Sequence, residues 1–161
     1  IVSGKPVAAH RARRRAGLEP VAALVGLGAA AAVLADPAVL DAEAGRARRQ
    51  VDRLRSVATA VDGIEAYGHP TEALPHLLCL GVAGVEPQGV LLGLDRAGVA
   101  AHSGSACSSE SLEPSPVLEA MGVDAHRSLR FSVGWSTTDD DIDRAATALP
   151  DVVARLRALA G

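Results

Sequence analysis

Apolar residues recur at helical spacing from Leu40 to Val61, and this pattern constrains the fold more than any other feature of the chain. Arginines and acidic residues fill the positions between them, which is typical of a long amphipathic helix. The pattern starts after Asp36-Pro37 and ends near Asp62-Gly63. A helix of this length needs a wide apolar surface to pack against, so the rest of the chain must supply a sheet or further helices.

The composition indicates what the core is made of. Hydrophobic residues make up 48% of the 161 positions, yet the chain has one Phe, one Trp and one Tyr. Ala, Val and Leu must therefore build the core, which favours helices packed on a small sheet. The length suits one domain with a substantial core and is too short for two ordinary domains. We therefore expect an α/β chain of the α+β kind, with long helices packed on a short, mainly antiparallel sheet.

A segment late in the chain alternates strictly between apolar and other residues. From Ser128 to Gly134, the apolar positions are Leu129, Phe131 and Val133. This period of two predicts a strand whose apolar side chains face the core. Other patterns predict strands at 76–82 and 99–101, a buried helix, apolar almost all round, at 21–35, and further helices at 86–96, 115–121 and 139–159.

Arg130 lies on the other side of this predicted strand. The alternation puts its guanidinium between the hydroxyls of Ser128 and Ser132. Guanidinium groups bind carboxylates through two parallel hydrogen bonds, so Arg130 is a candidate carboxylate-binding residue. An ordinary surface arginine on an exposed sheet face explains the same pattern, and the residues alone leave both interpretations open.

Cys107 lies in a segment of small residues, Ser103-Gly104-Ser105-Ala106-Cys107-Ser108-Ser109. A free cysteine usually packs as a small hydrophobe, but that role requires apolar neighbours at strand or helix spacing, and here there are none. A thiol on a polar Gly/Ser/Ala loop can be presented to a partner and changed chemically without disturbing the fold. Cys107 is therefore the candidate reactive residue. Cys79 lies within an apolar strand and is interpreted as a core residue.

Three other motifs are better explained by structure than by chemistry. Gly26-Leu27-Gly28 resembles part of a dinucleotide-binding motif, but it falls inside a predicted helix and not in a turn after a strand. His76 and Cys79 have the spacing of half a metal site, and no second pair follows, so we expect no metal site. Residues 137–141, two threonines and three aspartates, are typical of a helix N-terminus, where threonine caps the helix and acids complement its dipole.

Charge and hydrophobicity argue against two classes of partner. The chain has 16 basic and 19 acidic residues, so we expect no binding to nucleic acid. Its richest apolar run, Val21 to Leu34, is too short to span a membrane. With two cysteines and no signal peptide, we expect a reducing, cytoplasmic setting. The first residue is Ile1 and not Met, which suggests a piece of a longer protein or a processed product.

Taken together, the segments around Cys107 and Arg130 resemble a known family. They are similar to the C-terminal third of the cysteine desulfurases, which are pyridoxal-phosphate enzymes of the class V aminotransferase group. The resemblance covers nearly the whole chain, and its motifs keep the same order. It rests on Arg14–Gly17, Val25–Ala30, Gly84–Val85, Leu91–Leu92, Asp95–Val99, Ser103–Ser109, Ser111–Ser115, Ser128–Gly134 and Thr137–Asp139.

The resemblance implies a role for each candidate residue. In these enzymes a loop thiolate attacks the sulfur of the substrate L-cysteine, L-alanine is released and a persulfide remains on the enzyme. By resemblance, Cys107 is that sulfur acceptor and Arg130 holds the substrate carboxylate. The Ser-Gly-Ser-Ala-Cys form goes with the long version of the acceptor loop, here about 102–114. The persulfide is then passed to an iron–sulfur scaffold, a tRNA-thiolation protein or another carrier.

Two positions depart from the family pattern. The family's cofactor lysine lies in a His-Lys pair well before the Arg-x-Gly segment, whereas Lys5, the only lysine here, lacks that context. A threonine that contacts the cofactor phosphate across the dimer interface is replaced by Leu18. We therefore assign no cofactor-binding residue in this chain and expect pyridoxal phosphate to be bound mainly by polypeptide upstream of Ile1.

The resemblance also predicts the domain organisation. Residues 1–35 would be a remnant of the large pyridoxal-phosphate domain and its exit helix, and residues 36–161 the C-terminal small domain of a fold type I enzyme. The full-length protein would be a homodimeric cysteine desulfurase. This chain alone is expected to be inactive because it lacks the cofactor lysine.

Other functions remain open on the same residues. A stand-alone sulfur-relay or docking module would use Cys107 without catalysis. Another class V aminotransferase or lyase would share the fold, but it has no need of a cysteine in this loop. A cysteine hydrolase would require a histidine base, and no histidine has a recognisable position for that role.

Overall fold

The computed structural model describes residues 20–103 and 114–160. Within these ranges the chain alternates helices with short strands, as the sequence predicts. In chain order the elements are α1 (Val21–Leu34), α2 (Pro37–Thr59), β1 (Ile64–Tyr67), β2 (Leu77–Val82), α3 (Pro87–Arg96), β3 (His102–Ser103), α4 (Pro116–Ala120), a 3-10 helix (Ala125–Arg127), β4 (Ser128–Ser132) and α5 (Asp139–Ala160).

The four strands form one sheet in the order β1-β2-β4-β3. Every neighbouring pair is antiparallel, which confirms the expected sheet type. The register pairs Leu80 with Leu129 and Leu78 with Phe131 across β2 and β4. Because directly opposite residues point to the same face, these four side chains lie together on one side of the sheet.

That side of the sheet packs against helices to form the core. The buried cluster joins Leu80 and Leu129 of the sheet to Leu54 of α2, Leu94 of α3 and Leu149 of α5. Apart from Phe131, the buried hydrophobic side chains of the described residues are aliphatic, as the composition predicts. The prediction of helices packed on a small antiparallel sheet is therefore confirmed.

The N-terminus of α5 is capped as its sequence predicts. The Thr138 hydroxyl donates to the Asp141 carboxylate at 2.7 Å. The Thr138 amide donates to Asp141 at 2.9 Å, and the Asp141 amide donates to the Thr138 hydroxyl at 3.2 Å. This reciprocal pair is a capping box with aspartate in place of the usual glutamate. The acidic cluster therefore begins a helix.

One strand lies later in the chain than predicted. The strand expected at 99–101 is wrong, because β3 consists of His102 and Ser103. Val99 still belongs to the end of α3, since its amide donates to the Leu94 carbonyl at 2.9 Å. Gly98 makes this helix end with a φ of 75°, a conformation that glycine adopts without strain.

The chain divides into two compact units, Ile1–Asp41 and Ala42–Gly161. The second unit holds the entire sheet together with α3, α4 and α5. In the first unit, α1 forms as predicted, but none of its residues is buried. The expectation that it is a buried helix is wrong for this chain, because a helix that is apolar all round finds no surface here to cover it.

Among the described residues, no single helix is long and apolar enough to cross a bilayer. In the same ranges, α1 and α2 reach the required length and apolar composition only when they are counted as one segment across the break between them.

Candidate functional site

Arg130 lies in the middle of β4, the strand that pairs with both β2 and β3. Its neighbours Leu129 and Phe131 are buried in the core, with exposed fractions of 1% and 5%. Side chains alternate along a strand, so Arg130 points to the opposite side, which we call the outer face. The predicted position of Arg130 on the polar side of a strand is thus confirmed, and its role depends on what surrounds it there.

A row of four side chains crosses the outer face. The register pairs Arg130 with Cys79 on one side and with His102 on the other. Cys79 in turn pairs with Tyr67 of β1. Directly opposite residues in an antiparallel sheet have Cβ atoms about 4.5–5.5 Å apart, so each member of this outer-face row adjoins the next.

The Arg130 guanidinium has no polar partner in the part of the chain that the structure describes. It makes no hydrogen bond or ion pair with any residue in 20–103 or 114–160. The side chain is half-buried, which keeps it less screened by solvent than a fully exposed cation. Such a group binds a carboxylate well, because two parallel charge-assisted hydrogen bonds fit its planar geometry.

Of the two hydroxyls predicted beside Arg130, only that of Ser132 is exposed to a ligand on the outer face. Ser128 is 2% exposed, and its hydroxyl donates to the Ala125 carbonyl at 2.9 Å. Ser128 therefore closes the turn that leads from the 3-10 helix into β4. Ser132 is exposed and remains beside Arg130 on the outer face.

Cys79 does not lie in the core. The expectation of a core residue is wrong, because Cys79 alternates with Leu78 and Leu80 and therefore faces Arg130 on the outer face. Its thiol is free and half-buried. Burial raises the pKa of the Cys79 thiol, and the nearby Arg130 cation lowers that pKa by a smaller amount. The sequence does not indicate which face of the strand Cys79 lies on, because every residue of β2 is apolar or small and the two faces show no contrast.

Tyr67 is the last member of the row on its β1 side. A Cβ atom built at Gly81 would overlap the Tyr67 ring, so the ring lies over that glycine. The Tyr67 hydroxyl donates to the Asp124 carbonyl at 3.3 Å. Burial, followed by the negative charges of Glu65 and Asp124, raises the pKa of the Tyr67 phenol. Tyr67 is thus a neutral side chain that covers part of the outer face.

His102 ends the row on the edge strand. Its Nδ1 contacts the carbonyl oxygen of Ser103. His102 does not stand out as a functional residue in the sequence, because its pairing with Arg130 follows only from the register.

Two predicted features lie outside the described residues. Cys107 and most of the acceptor loop fall within 104–113, and Lys5 falls within 1–19. In the described part, no group of three or more His, Cys, Asp or Glu side chains could hold a metal ion.

A cavity of about 240 Å³ lies elsewhere, between β4, α5 and the end of α3. Its lining combines apolar side chains, such as Leu54 and Phe131, with polar and charged residues. The polar groups of Thr137 and Asp141 in its wall already bond to the backbone around the start of α5. Arg144 in the cavity wall lies near the Asp141 carboxylate, whereas Arg130 has no acid beside it in the outer-face row and stands next to a free thiol. Within the described ranges, the outer face is therefore the better candidate for binding a carboxylate.

Comparisons with known proteins give consistent matches. The family profile described as "Aminotransferase class-V" matches residues 2–145. Cysteine desulfurase IscS 1 of Archaeoglobus fulgidus is 40% identical over 148 residues, which cover 90% of this chain and 38% of that protein. Cysteine desulfurase 2 of Trichormus variabilis is 41% identical over 158 residues, covering 95% and 39%.

A solved structure gives the same fold. The NifS-like protein from Rickettsia africae matches with a TM-score of 0.74 at 23% identity, covering 87% of this chain and 36% of that one. In both kinds of comparison this chain spans less than two-fifths of the relative's length.

Proposed function

This chain belongs to the class V aminotransferase family, and we propose that it is the C-terminal part of a cysteine desulfurase. Identities of about 40% to cysteine desulfurases, over nine-tenths of the chain, support that choice within the family. The proposed reaction takes sulfur from L-cysteine and releases L-alanine. The substrate's carbon–sulfur bond breaks, a sulfur–sulfur bond forms on Cys107, and the carbon gains a proton, which leaves a persulfide on the enzyme.

The proposal is carried by the guanidinium of Arg130. An amino-acid substrate has a carboxylate to be held, and Arg130 is a cation at the centre of a rigid sheet that no described residue neutralises. Strand pairing on both sides fixes its position, so the substrate's carboxylate end would be anchored while its sulfur end remains available to Cys107. Cys107 follows β3 by four residues along the chain, and β3 pairs with the strand of Arg130.

Pyridoxal phosphate, which labilises the substrate's bonds in this class of chemistry, does not fit the described residues. The chain's only lysine is Lys5, outside those residues, and the outer-face row supplies one cation and no acid to hold a ring nitrogen. We therefore place the cofactor on polypeptide beyond this chain and derive no step through it.

The rest of the proposal concerns the whole protein. We assign residues 1–35 to the large domain and its exit helix, and 36–161 to the small domain with the acceptor loop at about 102–114. The complete protein would be a cytoplasmic homodimer that passes persulfide sulfur to an acceptor such as an iron–sulfur scaffold or a tRNA-thiolation protein.

The direct test is to locate the transferred sulfur. The chain is incubated with L-cysteine and pyridoxal phosphate, alone and together with the upstream part of its parent protein, and analysed by intact mass and peptide mapping. We expect added sulfur on Cys107 only when the upstream part is present. Sulfur on Cys79, or none on Cys107 in either mixture, would contradict the proposal. Sulfur on Cys107 without the upstream part would favour a relay module.

The role of Arg130 is tested separately in the complete enzyme. Arg130→Gln is expected to raise KM for L-cysteine about ten- to hundredfold, because a charge-assisted pair of hydrogen bonds to the carboxylate is lost. Arg127→Gln is the matched control, since Arg127 lies in the adjacent 3-10 helix and its ion pair with Asp124 is exposed. An equal KM for the Arg130→Gln enzyme and the control would remove Arg130 from the site.

A further inference from the structure

The neighbours of Arg130 differ in kind on its two sides. Towards the sheet edge lies the exposed imidazole of His102, and towards the sheet interior lies the half-buried thiol of Cys79. Tyr67 stands behind Cys79 in the same row and leans over Gly81. A ligand on Arg130 therefore meets the thiol on the more enclosed side.

We propose that Cys79 is a second residue of the carboxylate site, and that its thiol lies against a carboxylate held by Arg130. This inference rests on the proposed function, since it takes Arg130 as the carboxylate-binding residue. It adds a contact residue to that site, on the side of the ligand where the sheet and Tyr67 leave least room.

The distances between strands support this contact. Cβ atoms of directly opposite residues are about 4.5–5.5 Å apart, and a guanidinium binds carboxylate oxygens at about 2.7–2.9 Å. A carboxylate bound to Arg130 within the row thus stands within reach of the Cys79 sulfur. Both residues belong to strands paired on each side, so their spacing is held by two ladders of backbone hydrogen bonds.

The charges of the side chains in the outer-face row also support a contact between Cys79 and the bound carboxylate. The thiol stays protonated near neutral pH because burial raises the pKa of Cys79 by more than Arg130 lowers it. A carboxylate side chain at the same place would pair with Arg130 and compete with the ligand. Glu65, an acid on β1, pairs with Gly81 in the next row and forms no ion pair with Arg130. Cys79 therefore fills the position next to Arg130 without neutralising it.

The test uses the thiol as a reporter of carboxylate binding. In the chain with Cys107→Ser, Cys79 is the only thiol. Iodoacetate carries a carboxylate, whereas iodoacetamide is neutral and of nearly the same size. With either reagent the Cys79 thiolate displaces iodide: the sulfur–carbon bond forms, the carbon–iodine bond breaks, and the thiol proton goes to water. At fixed pH both reagents meet the same fraction of thiolate, so the ratio of their rates is independent of the thiol pKa.

We expect the iodoacetate-to-iodoacetamide rate ratio to be about five times higher in the folded chain than in the same chain unfolded in urea, because Arg130 docks the carboxylate beside the sulfur. Arg130→Gln should abolish the difference, whereas the matched Arg127→Gln should keep it. Excess acetate, at an ionic strength matched with chloride, should lower the ratio in the folded chain without any change to Arg130.

A folded-chain ratio equal to the unfolded one, or a ratio insensitive to both Arg130→Gln and acetate, would overturn the inference. These rates need neither cofactor nor cysteine. Failure here with persulfide still forming on Cys107 would refute the Cys79 contact alone, and success here without persulfide would refute only the proposed reaction.

Discussion

The phenol ring of Tyr67 lies where a Cβ atom at Gly81 would stand, so the two positions are coupled. In Gly81→Ala the ring must move off the sheet, and its hydroxyl loses the Asp124 carbonyl. Burial is the main cause of the raised phenol pKa, so exposure of the ring should lower that pKa towards its ordinary value. The chain has one tyrosine, which makes the change directly measurable by spectrophotometric titration.

Gly134→Ala is the control for this titration. No atom lies within 4 Å of a Cβ atom built at Gly134, so that substitution should leave the phenol pKa unchanged. If Gly81→Ala gave the same phenol pKa as the unsubstituted chain, Tyr67 would not be packed on Gly81 in solution.

At the scale of single residues, the alternation of charged and apolar side chains predicts which face of a strand a residue lies on, and hydrophobicity alone does not. The pattern Leu129-Arg130-Phe131 contrasts charge with apolar side chains, and this contrast alone is enough to place Arg130 on the correct face of its strand. Cys79 lies between Leu78 and Leu80, where a thiol looks as apolar as its neighbours. Only the register of β2 against β4 assigns it to the face of Arg130.

The start of helix α5 depends on a single hydroxyl. Thr138→Ala removes the acceptor for the Asp141 amide and should lower the free energy of unfolding by about 1 kcal/mol. Thr147→Ala is the matched control, because the Thr147 hydroxyl only bonds back to the Asp143 carbonyl inside the same helix. Urea unfolding followed by circular dichroism measures both. Equal losses for the two variants would argue against the capping role.

The same cap makes stability depend on pH. Hydrogen bonds from the Thr138 amide and hydroxyl hold the pKa of Asp141 below its ordinary value. The stabilising contribution of this carboxylate is therefore complete above the unfolded-state pKa of about 4, and it is lost as pH falls through the lower folded-state pKa. Asp141→Asn should weaken the loss of stability in acid, measured as unfolding midpoints from neutral pH downwards. If the variant lost stability in acid as steeply as the unsubstituted chain, Asp141 would not be the source of this pH dependence.

Helices α3 and α5 meet at a glycine. A Cβ atom at Gly93 would stand 2.5 Å from Val152 Cγ1, so Gly93→Ala should lower the free energy of unfolding by about 1–3 kcal/mol. Gly89, one turn earlier in α3, has its nearest neighbour at 3.4 Å, so Gly89→Ala should be neutral or stabilising by up to about 1 kcal/mol through helix propensity. Adding Val152→Ala should offset the cost at Gly93. Equal effects of the two glycine substitutions would show that the helices are not in close contact there.

Helices were easier to predict than strands for a physical reason. The periodicity of α2 and α5 lies in consecutive residues, so each helix is predicted from its own segment. The strand β3 has two residues, too few to show any period, and it forms because β4 lies beside it. Residue types alone make Cys107 a candidate sulfur acceptor, and that residue lies outside the described ranges.

For the molecule as a whole, the exposed helix α1 should govern behaviour in solution. Its apolar side chains are uncovered, among them Val25 and Leu27 at 66% and 67% exposed. An apolar surface of this kind favours association. We expect the 161-residue chain to self-associate as its concentration rises, and a chain that begins at Pro37 to remain monomeric. Size exclusion with light scattering measures the association, and an unchanged circular dichroism spectrum in the α2 to α5 part would show that the shortened chain is folded.

Val25→Glu in the full-length chain provides an independent check, because it charges α1 without removing it. Reduced association in this variant and in the shortened chain would agree with the prediction. Association that persists in the chain beginning at Pro37 would place the associating surface elsewhere.

The strand order also fixes when the outer-face row comes into existence. β4 stands between β2 and β3 in the sheet, although it is made after both of them. As the chain leaves the ribosome, β1 and β2 can pair at once, while β3 has no partner in the sheet until residue 130 has emerged. The arginine is thus the last member of its row to arrive, and its arrival joins the two halves of the sheet. Any ligand that needs Arg130 and its two neighbours together can bind only a finished sheet, so binding there would itself report that all four strands have paired.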